Sequence, residues 1–64
     1  MKEKLIIQWK DDNSWYAGTT RGGLMKWSDR KHAKELTEAQ FEALMKTVDA
    51  EWKKRVRIVW AEDE

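Results

Sequence analysis

One segment of helical length limits the folds open to this chain. Residues 38–54 carry apolar side chains at helical spacings on one stripe: Phe41, Leu44, Met45, Val48 and Trp52. Thr37 and Gln40 have the T-x-x-Q spacing of a capping box at its start. Leu36 and Phe41 have the spacing of a hydrophobic staple around the same cap. The sequence therefore predicts a single helix over residues 38–54 that buries one side.

Four other segments alternate apolar and polar residues with the period of a β-strand. The predicted strands are residues 4–9, 15–20, 24–27 and 55–60. A polar turn and a pair of glycines, Gly22 and Gly23, separate the first three strands. The expected fold is one α+β domain over residues 1–64, in the order β-β-β-α-β. It is a small antiparallel β-meander with one helix packed on one face and a C-terminal strand.

Five tryptophans give this chain of 64 residues without cysteine an unusually bulky set of apolar side chains. Small domains that lack disulfides and metals depend on bulky core residues or on self-association. Four tryptophans are in phase with the apolar positions of the predicted elements and are assigned to the core: Trp9, Trp27, Trp52 and Trp60. Trp15 and Tyr16 are adjacent on one strand and point to opposite faces, so the pattern leaves open which of them faces the core.

The face of the sheet opposite the predicted helix is the expected contact surface. Ile6 and Val59 lie on strands that we expect to be neighbours, and with one aromatic residue they would form an apolar patch rimmed by cations. The predicted partner-binding residues are Ile6, Gln8, Tyr16, Lys26, Arg57 and Val59. The sheet edges offer a second route, because an unprotected edge strand pairs readily with another chain.

The residue pattern favours neither catalysis nor a cofactor nor a metal. His32 is the single histidine. Its neighbours Arg30, Lys31 and Lys34 are basic, so no carboxylate is expected to orient the imidazole. Ser28 and Lys31 match S-x-x-K without the companion motifs of acyl-transfer enzymes, and Ser28 is interpreted as a helix cap. We therefore expect a protein that is not an enzyme, with no cofactor and no metal.

Charge and hydropathy narrow the choice of partner. Thirteen basic and twelve acidic residues give a net charge of +1, which gives a polyanion little to attract it. A single-stranded nucleic acid on the open sheet face is the alternative to a protein partner, because lysine and arginine would flank an aromatic ring there. No apolar run reaches the length of a membrane span and the N-terminus lacks a signal-peptide pattern, so a cytoplasmic location is expected.

Residues 17–60 resemble a pattern found in small phage and prophage proteins. The pattern has a glycine-bearing hairpin, a W-S/T-D and A-K-x-(L/F)-T segment, a helix and a V-x-I-V strand. The matching residues are Gly18, Trp27, Ser28, Asp29, Ala33, Lys34, Leu36, Thr37, Val56, Ile58 and Val59. The resemblance implies the same fold and a phage setting, in which such proteins often bind host proteins, including as inhibitors of host defence. The expectation is a small module in the host cytoplasm that binds a host protein, or itself as a homodimer.

Overall fold

The computed structural model describes residues 3–63 as one four-stranded sheet with two helices. The strands are β1 (Leu5–Trp9), β2 (Trp15–Thr19), β3 (Met25–Ser28) and β4 (Val56–Trp60). The helices are α1 (Glu38–Met45) and α2 (Ala50–Lys54), and 3₁₀ turns lie at Arg30–His32 and Ala61–Asp63. The strand order is β3-β2-β1-β4, and all neighbours are antiparallel. The predicted α+β class and the meander followed by a strand beside β1 are confirmed.

The start of α1 is the one predicted from the sequence. The Thr37 hydroxyl accepts the backbone N–H of Gln40 at 3.2 Å, and the Gln40 side chain accepts the backbone N–H of Thr37 at 3.0 Å. Leu36 is buried at 3% exposure, and Phe41 packs against the same core cluster. The capping box and the staple positions therefore bring the first turn of α1 onto the sheet.

The predicted single helix over residues 38–54 is wrong, because the chain breaks it into α1 and α2. The break follows Met45, and the carbonyl of Leu44 accepts both the N–H and the hydroxyl of Thr47, at 3.0 and 2.7 Å. Asp49 then starts α2, and its side chain accepts the backbone N–H of Trp52 at 2.8 Å. Local side-chain bonds to the backbone compete with helical bonds at both residues, which the apolar stripe alone does not reveal.

The core lies between the helices and one face of the sheet, which we call the helix face. Its buried members are Ile7, Tyr16, Leu36 and Val56. Partly buried residues pack around them: Trp9, Met25, Trp27, Phe41, Leu44, Met45 and Trp52. Trp60 is on the same face, opposite Leu5, and is half-buried. The four tryptophans assigned to the core therefore all lie on the helix side of the sheet.

A short piece of the connection between β3 and α1 lies within the sheet. β1 and β2 share one registered pair and then separate. Lys34 donates its backbone N–H to the carbonyl of Tyr16 at 2.8 Å. Leu36 exchanges two backbone hydrogen bonds with Leu5, at 2.7 and 2.9 Å. Residues 34–36, called the inserted segment below, thus fill the gap between the two strands.

Gly18 lies beside the inserted segment in a backbone conformation that favours glycine. Its φ is +102°, in the region that glycine adopts without strain, and the register of β2 against β3 is irregular between Tyr16 and Thr19. A Cβ at this position would stand 3.5 Å from Cδ of Lys34. The irregularity lets β2 turn away from β1 while it keeps its pairing with β3.

Candidate protein-binding surface

The face of the sheet opposite the helices, called the outer face, is covered at its centre by the chain itself. Ile6 is 0% exposed and Trp15 is 7% exposed, and both lie on this face. The Arg30 guanidinium lies over the Trp15 ring, with Cζ 5.6 Å from the centroid, and its Nη2 donates to the Ala61 carbonyl at 3.3 Å. Because Trp15 is on β2 and Ala61 follows β4, the Arg30 side chain crosses β1 between them. The expected open face is therefore largely closed.

Arg57 covers the Trp15 ring from the side of β4. Its Nε and Nη2 donate to Oε1 of Gln8, at 2.9 and 2.7 Å, and its Cζ lies 5.9 Å from the Trp15 centroid. Gln8 and Arg57 are opposite each other in the register of β1 and β4. Two guanidinium groups thus contact one indole, an arrangement that is favourable through cation–π attraction. Two of the predicted contact residues, Gln8 and Arg57, bind each other here.

Two of the six predicted contact residues are not where a contact surface needs them. Ile6 has the predicted phase but is fully buried. Tyr16 lies on the helix face at 4% exposure, edge-to-face with Trp27 at 5.9 Å, and burial raises the pKa of its phenol. Trp15 takes the outer position instead, because adjacent strand residues alternate between faces. On the outer face Lys26 and Arg57 are exposed, and Gln8 and Val59 are half-buried.

Strand β4 forms one edge of the sheet, and within residues 3–63 it pairs with β1 alone. Its register is unbroken from Val56, opposite Trp9, to Trp60, opposite Leu5. Strand β3, at the other edge, has four residues, an irregular register with β2 and the exposed Lys26. Short length, bulges and lysine are features that protect an edge from pairing. The β4 edge is therefore the less protected of the two.

Alternate residues of β4 direct their backbone groups away from β1. Ala61 donates its N–H to the Lys4 carbonyl, and Lys10 donates its N–H to the Arg55 carbonyl, both at 2.9 Å. These bonds show that the odd-numbered residues of this stretch bond to β1. In an antiparallel pair the intervening residues point the other way. The residues that present N–H and C=O groups to the open edge are Val56, Ile58 and Trp60.

The side chains along this edge are partly apolar and exposed. Ile58, on the helix face of this edge strand, is 37% exposed. Trp60 lines a neighbouring cleft of about 240 Å³, with Leu5, Phe41, Glu38 and Glu42 as the other lining residues. By its phase Ile58 belongs with Val56 and Trp60 on the helix face, so the sequence pattern did not distinguish it as a contact residue. Its exposure follows from the place of β4 at the edge of the sheet, which the order of the strands along the chain does not reveal.

A carboxylate orients the imidazole of His32, contrary to the expectation from the sequence. Asp29 accepts the backbone N–H of His32 at 3.2 Å, and its Oδ1 lies 2.6 Å from Nδ1. This contact holds the pKa of Asp29 below its ordinary range. Ser28 ends β3 and is not a helix cap; it lines a cleft of about 500 Å³ with His32. Among the described residues its hydroxyl makes no bond to the imidazole, so a coupled nucleophile and base are not assembled.

Two further features bear on the class of site. Within the part of the chain that the structure describes, no three His, Cys, Asp or Glu side chains converge as a metal site would require. No helix in residues 3–63 has both the length and the apolar character needed to cross a bilayer.

Comparisons with protein-family models, with curated proteins and with solved structures returned no match for this chain.

Proposed function

We propose that this chain is a non-catalytic protein-binding module whose β4 edge accepts an extended strand, and that this strand is β4 of a second copy. The observation that carries the proposal is the row of outward backbone groups beside the exposed Ile58. In strand addition, main-chain hydrogen bonds supply affinity and alternate side chains supply specificity. The unbroken register of β4 keeps those groups in line.

Self-pairing suits the residues along β4. A two-fold axis at Val59 would set Ile58 of one copy opposite Trp60 of the other, and Val59 opposite Val59. The same register keeps Arg57 away from its counterpart, which avoids repulsion between like charges. A net charge of +1 adds little repulsion between copies. A domain of this size also gains stability from association.

The alternatives to a second copy differ in their support. A phage setting, implied by the resemblance to small phage and prophage proteins, would make a strand of a host protein the other occupant of the edge, in the host cytoplasm. A nucleic acid has less support, because an open aromatic platform on the outer face is what it would need. Trp15 is 7% exposed there, beneath Arg30 and Arg57.

Light scattering over a range of protein concentrations tests the self-pairing. The wild-type chain is expected to show twice its monomer mass of 7.7 kDa. Ile58→Lys is expected to shift it to monomer, since the exposed side chain sits beside the pairing groups. Leu24→Lys is the matched control: Leu24 is 72% exposed in the turn between β2 and β3, so the dimer should persist. A wild-type monomer at millimolar concentration would contradict self-pairing and leave the host strand as the occupant to test.

A proline pair tests whether the backbone of β4 makes the contact. Ile58→Pro removes an N–H that points to the open edge, so the chain should fold and be monomeric. Val59→Pro removes an N–H that bonds to β1, so it should lower the melting temperature more strongly. A dimer that survives Ile58→Pro in a folded protein would show that another surface holds the copies together.

A further inference from the structure

Three tryptophans from separate elements meet at one end of the helix face and leave a cleft between them. The centroids of Trp9 and Trp27 are 5.3 Å apart, and each lies 6.3 Å from that of Trp52. The ring planes are inclined by 47° to 62°, so the rings do not stack on one another. All three are partly exposed. Together with Asp12 and Ser14 they line a cleft of about 210 Å³.

Asp12 gives this cleft a fixed negative charge. Its Oδ1 accepts the Ser14 hydroxyl at 2.6 Å and the Ser14 backbone N–H at 3.0 Å. These bonds hold the pKa of the Asp12 carboxyl below its ordinary range, so it is ionised at neutral pH. Among the described residues, those that line the cleft include no lysine, arginine or histidine. Lys10, nearby in the chain, bonds through its ammonium group to the Lys54 carbonyl at 3.2 Å.

We infer that this cleft binds a methylated or quaternary ammonium group. The face of an indole attracts cations more strongly than the faces of other aromatic rings do, and three indoles line this one cleft. The carboxylate of Asp12 is negative, so it adds to the attraction for a cation. The cleft is smaller than drug-binding pockets, which hold roughly 300–1,000 Å³, so it suits a headgroup or the end of a side chain. It shares no residue with the β4 edge, so this inference does not depend on self-pairing.

Resonances of the five indole N–H groups report binding residue by residue. Choline is expected to shift those of Trp9, Trp27 and Trp52 and to leave those of Trp15 and Trp60 in place. The neutral isostere 3,3-dimethylbutan-1-ol has the same shape without the charge, so it should bind about tenfold more weakly. Equal binding of the alcohol would identify an apolar cleft and overturn the inference, as would the absence of any shift with choline.

Variants separate the charge from the rings. Asp12→Asn keeps the shape of the turn and should weaken choline binding about threefold. Asp11→Asn removes a neighbouring acid that does not line the cleft and should leave binding unchanged. Trp52→Phe keeps a smaller ring and should bind between wild type and Trp52→Leu. If Asp12→Asn binds choline as tightly as wild type and Asp11→Asn do, the carboxylate of Asp12 does not contribute to binding. The electrostatic part of the inference would then be wrong.

The source of the ammonium group is tested with two further probes. Free trimethyllysine represents a modified protein side chain, and phosphatidylcholine vesicles represent a lipid headgroup. Binding of trimethyllysine without vesicles would assign the site to a protein partner, and co-sedimentation with vesicles that Asp12→Asn weakens would assign it to a lipid surface. Failure of both probes together with choline would overturn the site, whatever the oligomeric state of the chain.

Discussion

The two faces of the sheet are buried at their centres by different means. On the helix face, α1 and α2 bring Phe41 and Trp52 onto a core that includes Ile7. On the outer face, two arginine side chains cover Trp15, and Ile6 beneath this layer is 0% exposed. Long cationic side chains cover apolar surface while their charged ends reach acceptors or solvent. A sheet face without a helix is therefore not necessarily an open face.

This difference moves the candidate contact surface from a face to an edge. On the outer face the chain itself already buries Ile6, so no partner is needed to cover this residue. Within residues 3–63 the β4 edge keeps backbone groups that pair with no other strand, and Ile58 beside them is 37% exposed. Once both faces of a small sheet are covered, its edge strands are the parts that still present unpaired N–H and C=O groups.

The largest effect is expected at the two adjacent isoleucines of β1, which test whether the faces are equally buried. Ile6→Ala and Ile7→Ala should each lower the free energy of unfolding by about 2–4 kcal/mol, measured by urea denaturation, because both residues are 0% exposed. An open outer face would give Ile6→Ala a cost well under half that of Ile7→Ala. If alanine unfolds the chain, the valine pair, at about 1 kcal/mol each, makes the same comparison.

Arg30→Ala should remove part of the cover that is particular to the outer face. The loss of the contact with Trp15 and of the bond to Ala61 is expected to cost about 1–2 kcal/mol in chemical denaturation. Arg30→Lys keeps the charge without the planar group and should recover a minor part. The control Lys31→Ala changes an exposed neighbour and should stay within about 0.5 kcal/mol of wild type. Equal stability of Arg30→Ala and Lys31→Ala would show that Arg30 does not hold this face closed.

Asp49→Ala tests how the helix face is built, and the sign of its effect is informative. As the cap of α2, Asp49 should contribute about 1 kcal/mol, so alanine destabilises the fold. In one continuous helix the same change would stabilise it by up to about 0.7 kcal/mol, since alanine is the better helix former. Urea denaturation distinguishes the two cases.

Tyr16 gives the smallest effect, as a change in the pH dependence of stability. Burial on the helix face raises its pKa above the ordinary 10.0. The folded state then favours the neutral phenol, so this contribution is fully present below pH 10 and is lost as the pH rises through the raised pKa. An absorbance titration of the single tyrosine follows the phenolate. Ionisation at the ordinary pKa in the folded protein would place Tyr16 on the exposed side.

The parts of the fold that were predicted correctly are those set by local patterns. The alternation around Leu5 and Ile7 gave the phase of β1, and the side chains of Thr37 and Gln40 gave the start of α1. The break before α2 was missed because Val48 continues the apolar stripe across it. The cap at Asp49 was the local signal that the stripe concealed.

The candidate surface was predicted less well, because it depends on contacts between distant residues. Periodicity treats Trp15 and Tyr16 alike, and the register of β2 against β1, which sets Trp15 opposite Gln8, decides which one turns outward. No local pattern shows that Arg30 reaches across β1 to Ala61. Arg57 and Val59 were predicted as contact residues, but the exposed residue between them, Ile58, was not among them.

The inserted segment ties the assembly of the sheet to the second half of the chain. The Tyr16 carbonyl and both backbone groups of Leu5 find their partners in residues 34–36. A fragment that stops after β3 would leave those groups unmatched, so the first three strands are not an autonomous unit despite their adjacency in sequence. Sheet closure and helix docking should then form one cooperative transition, whose rate reflects long-range contacts and not simple hairpin closure.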